Sequence, residues 1–184
     1  MTGDFSIKPT ISGDLVVLRP FQAGDYPAIV TALQDPEVLR LTGSSPFTWD
    51  ETGHARLREW YATRNDQTDR LDLAITDRAT GQWVGEVVLH KVDKPNANCT
   101  FRMLIGPSGR DRGLGTESVR LLVRYAFEQL DLHRIALQVY PFNPRARHVY
   151  EKAGFVAEGI EREVLRTGDG WSDAVTMAIL NPAH

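Results

Sequence analysis

The strongest pattern in the chain is an amphipathic stripe that follows a run of glycines. Its apolar members recur at three- and four-residue intervals: Val119, Leu122, Val123, Ala126, Phe127 and Leu130. Because this spacing returns to one side of a helix, it predicts a helix of about four turns with one buried face. Weaker helical patterns occupy "QAGDYPAIVTALQ", "WDETGHARLREWYATR" and "PRARHVYEKAG". We expect Asp35-Pro36 to end the first, and Gly154 to close the last in a left-handed conformation.

Short apolar runs and alternating segments between these helices predict strands. They are "GDLVVLRPF", "RLDLAITD", "WVGEVVLHKV", "ANCTFRMLIG", "RIALQVY" and a terminal hairpin on either side of "GDG". The middle three follow one another through short turns, which favours an antiparallel meander. The order of elements therefore predicts an α+β fold, with a mixed, largely antiparallel sheet of about seven strands flanked by helices.

Composition narrows the class of protein to which the chain can belong. With 184 residues, 42% of them hydrophobic, the chain can bury one core, and we expect a single domain over residues 1–184. A formal net charge of −3 gives no overall positive field, so we expect no nucleic-acid partner. The first twenty residues contain Asp4, Lys8 and Arg19 and no long apolar run, which predicts no membrane partner and a soluble, cytoplasmic protein.

The single cysteine, Cys99, cannot form an internal disulfide, which fits a reducing compartment. Its place in a predicted strand favours a buried apolar role over that of a nucleophile. The five histidines are scattered without a metal-ligand spacing, so we expect no metal.

The segment "GPSGRDRGLGTESVR" joins a predicted strand to the start of the strong helix. Unpaired N–H groups at a helix N-terminus favour an anion, and Gly113 and Gly115 let the main chain approach it closely. Arg110 and Arg112 add positive charge that suits a phosphate group. The segment does not match a Walker loop, which needs Lys before Ser or Thr, or the three-glycine dinucleotide fingerprint. A diphosphate site and a simple glycine-rich turn with solvated arginines both remain open from these residues alone.

The same segment resembles the Arg/Gln-x-x-Gly-x-Gly loop of the GCN5-related N-acetyltransferases, the GNAT family, with Arg110, Gly113 and Gly115 in the motif positions. The stretch "LDLHRIALQVYPFNPRARHVYEKAGFVAEG" is similar to the second conserved block of the RimJ/RimL branch. The likeness extends to an opening strand and helix, "LVVLRPFQAGDYPAI", and to a closing hairpin, "GDGWSDAVTMAIL".

This resemblance implies transfer of an acetyl group from acetyl-CoA to a primary amine by direct attack in a ternary complex. The acceptor would be a protein N-terminal α-amine or a small-molecule amine, and relatives are often monomers or homodimers. The implied cofactor-binding residues are Met103, Ile105, Arg110, Asp111, Arg112, Gly113, Leu114, Gly115, Thr116 and Asn143. In the loop we expect the main-chain amides to matter more than the side chains of Asp111 and Leu114.

Two of the implied catalytic residues follow the glycine loop at some distance. Tyr150 matches the tyrosine that family members place near the thioester sulfur as a general acid. Its alternative role is that of a half-buried aromatic on a short helix. Asn143 matches a cofactor-binding position that is also implied in catalysis. Because Asn-Pro favours turns, its alternative role is that of a turn or helix cap.

The pattern does not assign the general base to one residue. Relatives often carry an acidic residue where this chain has Thr100, which cannot accept a proton near neutral pH. Glu86 and His90 would share one face of the preceding strand, since side chains alternate with period two. We take Glu86 as the catalytic candidate, with an ordinary solvent-facing strand edge as its alternative. His54 and His148 are weaker candidates for the same role.

Three tryptophans, Trp49, Trp60 and Trp171, could line an acceptor pocket, although core and interface packing is the better interpretation for Trp60. Two alternative functions are each suggested by one residue. Arg102 would suit an acyl group with its own carboxylate, such as the succinyl group of succinyl-CoA. Thr100 would suit a protein that binds acyl-CoA without catalysis.

Overall fold

A computed structural model describes residues 3–44, 47–168 and 170–183. Its helices are α1 Tyr26–Gln34, α2 Pro36–Thr42, α3 Glu51–Ala62, α4 Leu114–Gln129 and α5 Pro144–Lys152. Its strands are β1 Ile11–Ser12, β2 Val16–Arg19, β3 Leu71–Asp77, β4 Trp83–Asp93, β5 Asn98–Ile105, β6 Arg134–Val139, β7 Val156–Thr167 and β8 Gly170–Leu180.

All eight strands belong to one sheet in the order β1-β2-β3-β4-β5-β6-β8-β7. Strands β5 and β6 are parallel, and every other neighbouring pair is antiparallel. This confirms the α+β prediction, with one strand more than the expected seven. The extra strand is β1, whose two residues are too short to give an alternating pattern.

Helices cover both faces of this sheet, and β3 shows how the sequence divides them. Leu73 and Ile75 belong to a core that includes α4 and α5 residues, whereas Ala74 between them packs with α1 and α2 residues. Since neighbouring side chains of a strand point to opposite faces, α4 and α5 lie on one face of the sheet and α1 and α2 on the other. Tyr61 of α3 packs against the second core, so α3 lies with α1 and α2.

Helix α2 was not predicted, because Asp35-Pro36 was interpreted only as a stop. Helix α1 does end at Gln34, but Asp35 then caps a new helix. Its carboxylate accepts hydrogen bonds from the backbone N–H groups of Glu37 and Val38, at 2.7 and 3.0 Å. Proline is well suited to the first position of a helix, so the same two residues end one helix and start the next.

Other local predictions are confirmed. The carboxylate of Asp50 accepts from the N–H of Gly53 at 2.7 Å and caps α3. Gly154 follows α5 with a φ of 100°, the left-handed conformation expected there. The terminal hairpin is formed by β7 and β8. Asp169, in the middle of its "GDG" turn, lies outside the described residues.

Glu117, in the first turn of α4, ties that helix to the edge of the sheet. Its carboxylate accepts hydrogen bonds from the backbone N–H groups of Asp14, Leu15 and Val16, at 2.9, 2.8 and 2.8 Å. These bonds satisfy the N–H groups at the turn between β1 and β2. They also fix the orientation of the helix start, next to the glycine loop.

Within the part of the chain that the structure describes, no helix is both long and apolar enough to cross a membrane.

Candidate active site

The parallel strands β5 and β6 separate after a short paired region. Their ladder joins Asn98–Thr100 to Arg134–Ala136, and β5 then continues to Ile105 and β6 to Val139 without pairing to each other. A cavity of about 590 Å³ lies at this opening. It is lined by residues from both helical layers, so the opening connects the two faces of the sheet.

The glycine loop forms one wall of the cavity. Gly113 has a φ of 79° and is the N-cap of α4, and Asp111 also has a positive φ of 58°. A Cβ atom built on Gly115 would lie 3.4 Å from Cε of Met103, so the bare backbone keeps this wall open. The first N–H groups of α4 have no partner within the helix. The loop thus presents amides and a positive helix end to the cavity, which fits a diphosphate group.

The two arginines of the loop have protein partners. Arg110 lines the cavity and forms an ion pair with Glu37 of α2, and a longer one with Asp35 at 3.9 Å. The guanidinium of Arg112 donates to the buried carboxylate of Asp77 at 2.7 Å, and that hydrogen bond lowers the pKa of Asp77. Arg112 therefore holds the loop against β3, whereas Arg110 borders the space that a phosphate would occupy.

The remaining predicted loop and strand residues fall into two groups. Asp111, Gly113, Gly115 and Thr116 line the cavity, as do Met103 and Ile105 of β5. The side chain of Leu114 is buried in the core instead. Leu114 is therefore not part of the cavity wall. Asp111 also forms an ion pair with Arg145 of α5 at 3.3 Å, and both residues line the cavity.

Asn143 has the capping role that was its alternative interpretation, and it also lines the cavity. Its side-chain oxygen accepts from the N–H of Ala146 at 3.1 Å, which caps α5. Its side-chain amide donates to the carbonyl of Leu41 at 3.3 Å and so connects α5 to α2.

Tyr150 lines the cavity, with only 6% of its surface exposed. Its ring packs against Phe101 and Phe155, at centroid distances of 5.9 and 6.0 Å. Burial raises the pKa of the Tyr150 hydroxyl. Tyr150 is on the cavity wall, and among the described residues no hydrogen-bond partner is found for its hydroxyl.

Glu86 lies on the opposite face of the sheet and also lines the cavity. Its carboxylate accepts a hydrogen bond from the hydroxyl of Tyr61 at 2.8 Å and lies 3.5 Å from the guanidinium of Arg102. Glu86 is only 5% exposed, so the solvent-facing alternative was wrong for this residue. Loss of solvation is the main cause that raises the pKa of Glu86, against the opposing effects of Arg102 and Tyr61.

His90 is half-buried further along β4, opposite Thr100 of β5. Burial, followed by the positive charge of Arg102, lowers the pKa of His90. The cavity wall includes Glu86 but neither His90 nor Thr100. His148 is on the wall, while His54 faces away and contacts the Tyr26 hydroxyl at 2.9 Å.

Among the three tryptophans, Trp60 alone lines this cavity. It is 48% exposed, so the core-packing part of its interpretation was wrong. The guanidinium of Arg64 lies 3.7 Å from the centre of its ring. Trp49 packs on Phe47 and His54 instead, and Trp171 is exposed on β8.

The prediction of a buried Cys99 is confirmed, since the residue is 2% exposed and burial raises the pKa of its thiol to about 12. Tyr61 was missed as a site residue. Its position in the helical pattern of α3 gave no sign that its hydroxyl would reach Glu86 of β4.

Comparison with known proteins assigns the family. The sequence model of the acetyltransferase (GNAT) domain matches residues 16–156, which is more than half of the chain. The chain therefore belongs to the GNAT family, in its RimJ/RimL-type branch, and is an acetyl-CoA-dependent N-acetyltransferase. The resemblance recognised in the glycine loop and its flanking segments is thereby confirmed.

Individual relatives agree with this assignment. The "Probable N-acetyltransferase YjcK" of Bacillus subtilis is 34% identical over 123 residues, covering 66% of this chain and 68% of the relative. The spermidine N(1)-acetyltransferase of Vibrio cholerae is 27% identical over 171 residues, covering 92% and 95%. A crystal structure of spermidine N-acetyltransferase from V. cholerae in complex with CoA and spermine matches with a TM-score of 0.81, covering 92% of this chain and 97% of that one. At 24% identity, that match supports the fold alone.

Proposed function

We propose that the chain transfers the acetyl group of acetyl-CoA to a primary amine, either a protein N-terminal α-amine or a small-molecule amine. The amine attacks directly while both substrates are bound. The observation that carries this proposal is the opening between β5 and β6. It joins a wall of backbone amides on the α4–α5 face to a buried carboxylate, Glu86, on the α1–α3 face.

The α4–α5 side of the cavity suits coenzyme A. The amides between residues 110 and 116 would hold the diphosphate, and Gly113 and Gly115 keep side chains out of that space. Beyond Thr100 the β6-facing edge of β5 has no strand partner in the described sheet, so its main chain is available to the amide-containing arm of the cofactor. Acetyl-CoA would supply the acetyl group as a thioester, whose carbonyl carbon accepts the nucleophile.

Tyr150 is proposed as the group that holds a proton for the departing sulfur. The amine nitrogen forms a bond to the carbonyl carbon, the C–S bond breaks, and the thiolate takes the proton from the hydroxyl oxygen of Tyr150. Because burial raises the pKa of Tyr150, the hydroxyl stays protonated throughout the neutral range. It can therefore act as the donor, and the tyrosinate that is left recovers a proton from solvent before the next cycle.

Glu86 is proposed as the group that takes the proton from the attacking amine, directly or through a water. A lysine-like ammonium has a pKa of about 10.4 and an α-ammonium one of about 7.8, so either acceptor must lose a proton to become a nucleophile. Burial raises the pKa of Glu86 towards the operating range, which makes its carboxylate a stronger base than an exposed one. The Tyr61 hydroxyl, at 2.8 Å, orients this carboxylate.

Two measurements test the proposal. Calorimetry should detect binding of acetyl-CoA to the protein, and thiol release should depend on an added amine. The acceptor panel contains N-terminal peptides, amino acids and polyamines, each assayed with acetyl-CoA and with succinyl-CoA. Binding of acetyl-CoA without thiol release from any acceptor would indicate a non-catalytic binding protein. A preference for succinyl-CoA would assign Arg102 to the acyl group.

A further inference from the structure

The acceptor side of the cavity has a distinctive charge pattern. Most charged residues of the wall belong to the loop or to α5, on the proposed diphosphate side: Arg110, Asp111, Arg145, His148 and Lys152. Among the described residues, the charged side chains of the wall on the α1–α3 face are Glu86 and Arg102. The rest of this half is largely apolar and includes Val38, Leu57 and Trp60. The acceptor therefore meets one carboxylate and one guanidinium on an apolar background.

Arg102 has most of its binding capacity available. Its side chain is 60% exposed, and the polar contact described for it is the 3.5 Å approach to Glu86. A guanidinium carries several N–H donors in a planar fork that matches a carboxylate. Since Phe101 and Met103 pack against the α4–α5 core, Arg102 between them points to the acceptor face. This orientation favours recognition of the acceptor over recognition of the acyl group.

The same pattern disfavours a polyamine. A polyamine carries a positive charge at several nitrogens, so its recognition requires more than one carboxylate or an open aromatic face. Among the described wall residues of this half, the single carboxylate lies beside a guanidinium, and the Trp60 ring has the Arg64 guanidinium 3.7 Å from its centre. A second ammonium group would therefore meet like charges.

We propose that the acceptor is a free α-amino acid with an apolar side chain, whose carboxylate binds Arg102 while its amine faces Glu86. This inference rests on the proposed function and narrows its substrate class. The amino acid replaces the Glu86–Arg102 contact with two complementary ones, since its carboxylate pairs with the guanidinium and its ammonium with Glu86. Its side chain packs against the apolar surface of Val38, Leu57 and Trp60.

The test uses one skeleton with and without the carboxylate. Thiol release from acetyl-CoA is measured with L-phenylalanine, L-leucine and L-methionine, with the amide of each, and with phenethylamine and spermidine. We expect the best of the free amino acids to exceed its own amide and spermidine in kcat/KM by about tenfold or more, because a site built for a polar group discriminates against ligands that lack it. Equal or better turnover of the amide or of spermidine would overturn the inference.

A variant separates carboxylate recognition from other effects. Arg102→Gln should lower the kcat/KM ratio of phenylalanine to phenethylamine about tenfold, mainly through KM, and leave the Kd of acetyl-CoA unchanged. Arg58→Gln is the matched control, because Arg58 stacks on Tyr26 outside this cavity. An unchanged ratio in Arg102→Gln, or a change only in acyl-CoA preference, would refute the assignment. Absence of thiol release with every amine would instead overturn the proposed function itself.

Discussion

Replacement of Tyr150 by Phe tests the proposed chemistry most directly, because it removes one oxygen atom and little else. The hydroxyl has no hydrogen-bond partner among the described residues, so its loss leaves no protein group unsatisfied. The ring keeps its contacts with Phe101 and Phe155. We therefore expect the free energy of unfolding to change by less than about 1 kcal/mol.

The effect on turnover should be much larger. A positioned proton donor contributes about 100-fold or more to such a step, which corresponds to about 2.7 kcal/mol of transition-state stabilisation. The thiolate that leaves has an intrinsic pKa of about 8.5, so it departs more readily when a proton is supplied. Tyr150→Phe should thus lower kcat about 100-fold, with an almost unchanged Kd for acetyl-CoA.

The assay is steady-state thiol release, together with calorimetric binding of acetyl-CoA and thermal unfolding of each variant. Tyr125→Phe is the control, since Tyr125 lies on α4 and is absent from the cavity wall. It should leave kcat unchanged. If Tyr150→Phe turned over like the parent protein, Tyr150 would not be the proton donor. If it lost acetyl-CoA binding instead, the residue would have a binding role.

Three further substitutions test the glycine loop as the cofactor-binding wall, Glu86 as the base, and the ion pair that holds the loop against β3. Gly115→Val should weaken acetyl-CoA binding at least about tenfold, because the valine side chain would enter the cavity wall. Gly24→Ala is the control and should not weaken binding, since a Cβ atom on Gly24 would lie in open space. Equal calorimetric affinities of the two variants would contradict a role of the glycine loop in binding. Glu86→Gln should lower kcat and remove the acidic limb of the pH profile of kcat/KM. Because the pKa of Glu86 is raised in the folded parent protein, the folded state holds more protons than the unfolded state, and the free energy of unfolding should fall as pH rises above about 4.5. The variant should lose this dependence, which unfolding measurements at several pH values would check. Arg112→Ala should lower the Tm at pH 7, because it removes the partner of the Asp77 carboxylate. The lowered pKa of Asp77 contributes stability only while that carboxylate is ionised, so the difference in Tm from the parent should shrink as pH falls below about 3.8. The same difference in Tm at all pH values would contradict this account.

The sequence predicted the elements whose signals are local. The stripe of α4, the cap at Asp50 and the left-handed Gly154 each depend on residues a few positions apart, and each is found in the structure. Asp35-Pro36 shows the limit of such signals, because the same pair ends α1 and begins α2. Whether such a pair only ends one helix or also starts another depends on the apolar residues that follow it.

The sequence predicted more of the cavity wall at the glycine loop than on the α1–α3 face, for a related reason. The glycine loop is continuous in sequence, so its motif can be recognised directly. Glu86 depends on Tyr61 and Arg102, which come from a helix and a neighbouring strand. The alternation of side chains along β4 predicted the face on which Glu86 lies but not its burial, because the helix that covers that face could not be placed from the sequence. Trp60 was misjudged because the opening beside it is formed by distant strands.

The division of β5 between the two faces has a consequence for how such a protein can change. Odd-numbered positions such as Met103 contact the α4–α5 layer, while Leu104 packs with the α1–α2 layer. Selection can therefore alter one set of positions, and the helices above it, with little disturbance to the other. A new acceptor could be acquired by substitutions in one layer alone, so that descendants of one ancestor share a donor and diverge in what they modify.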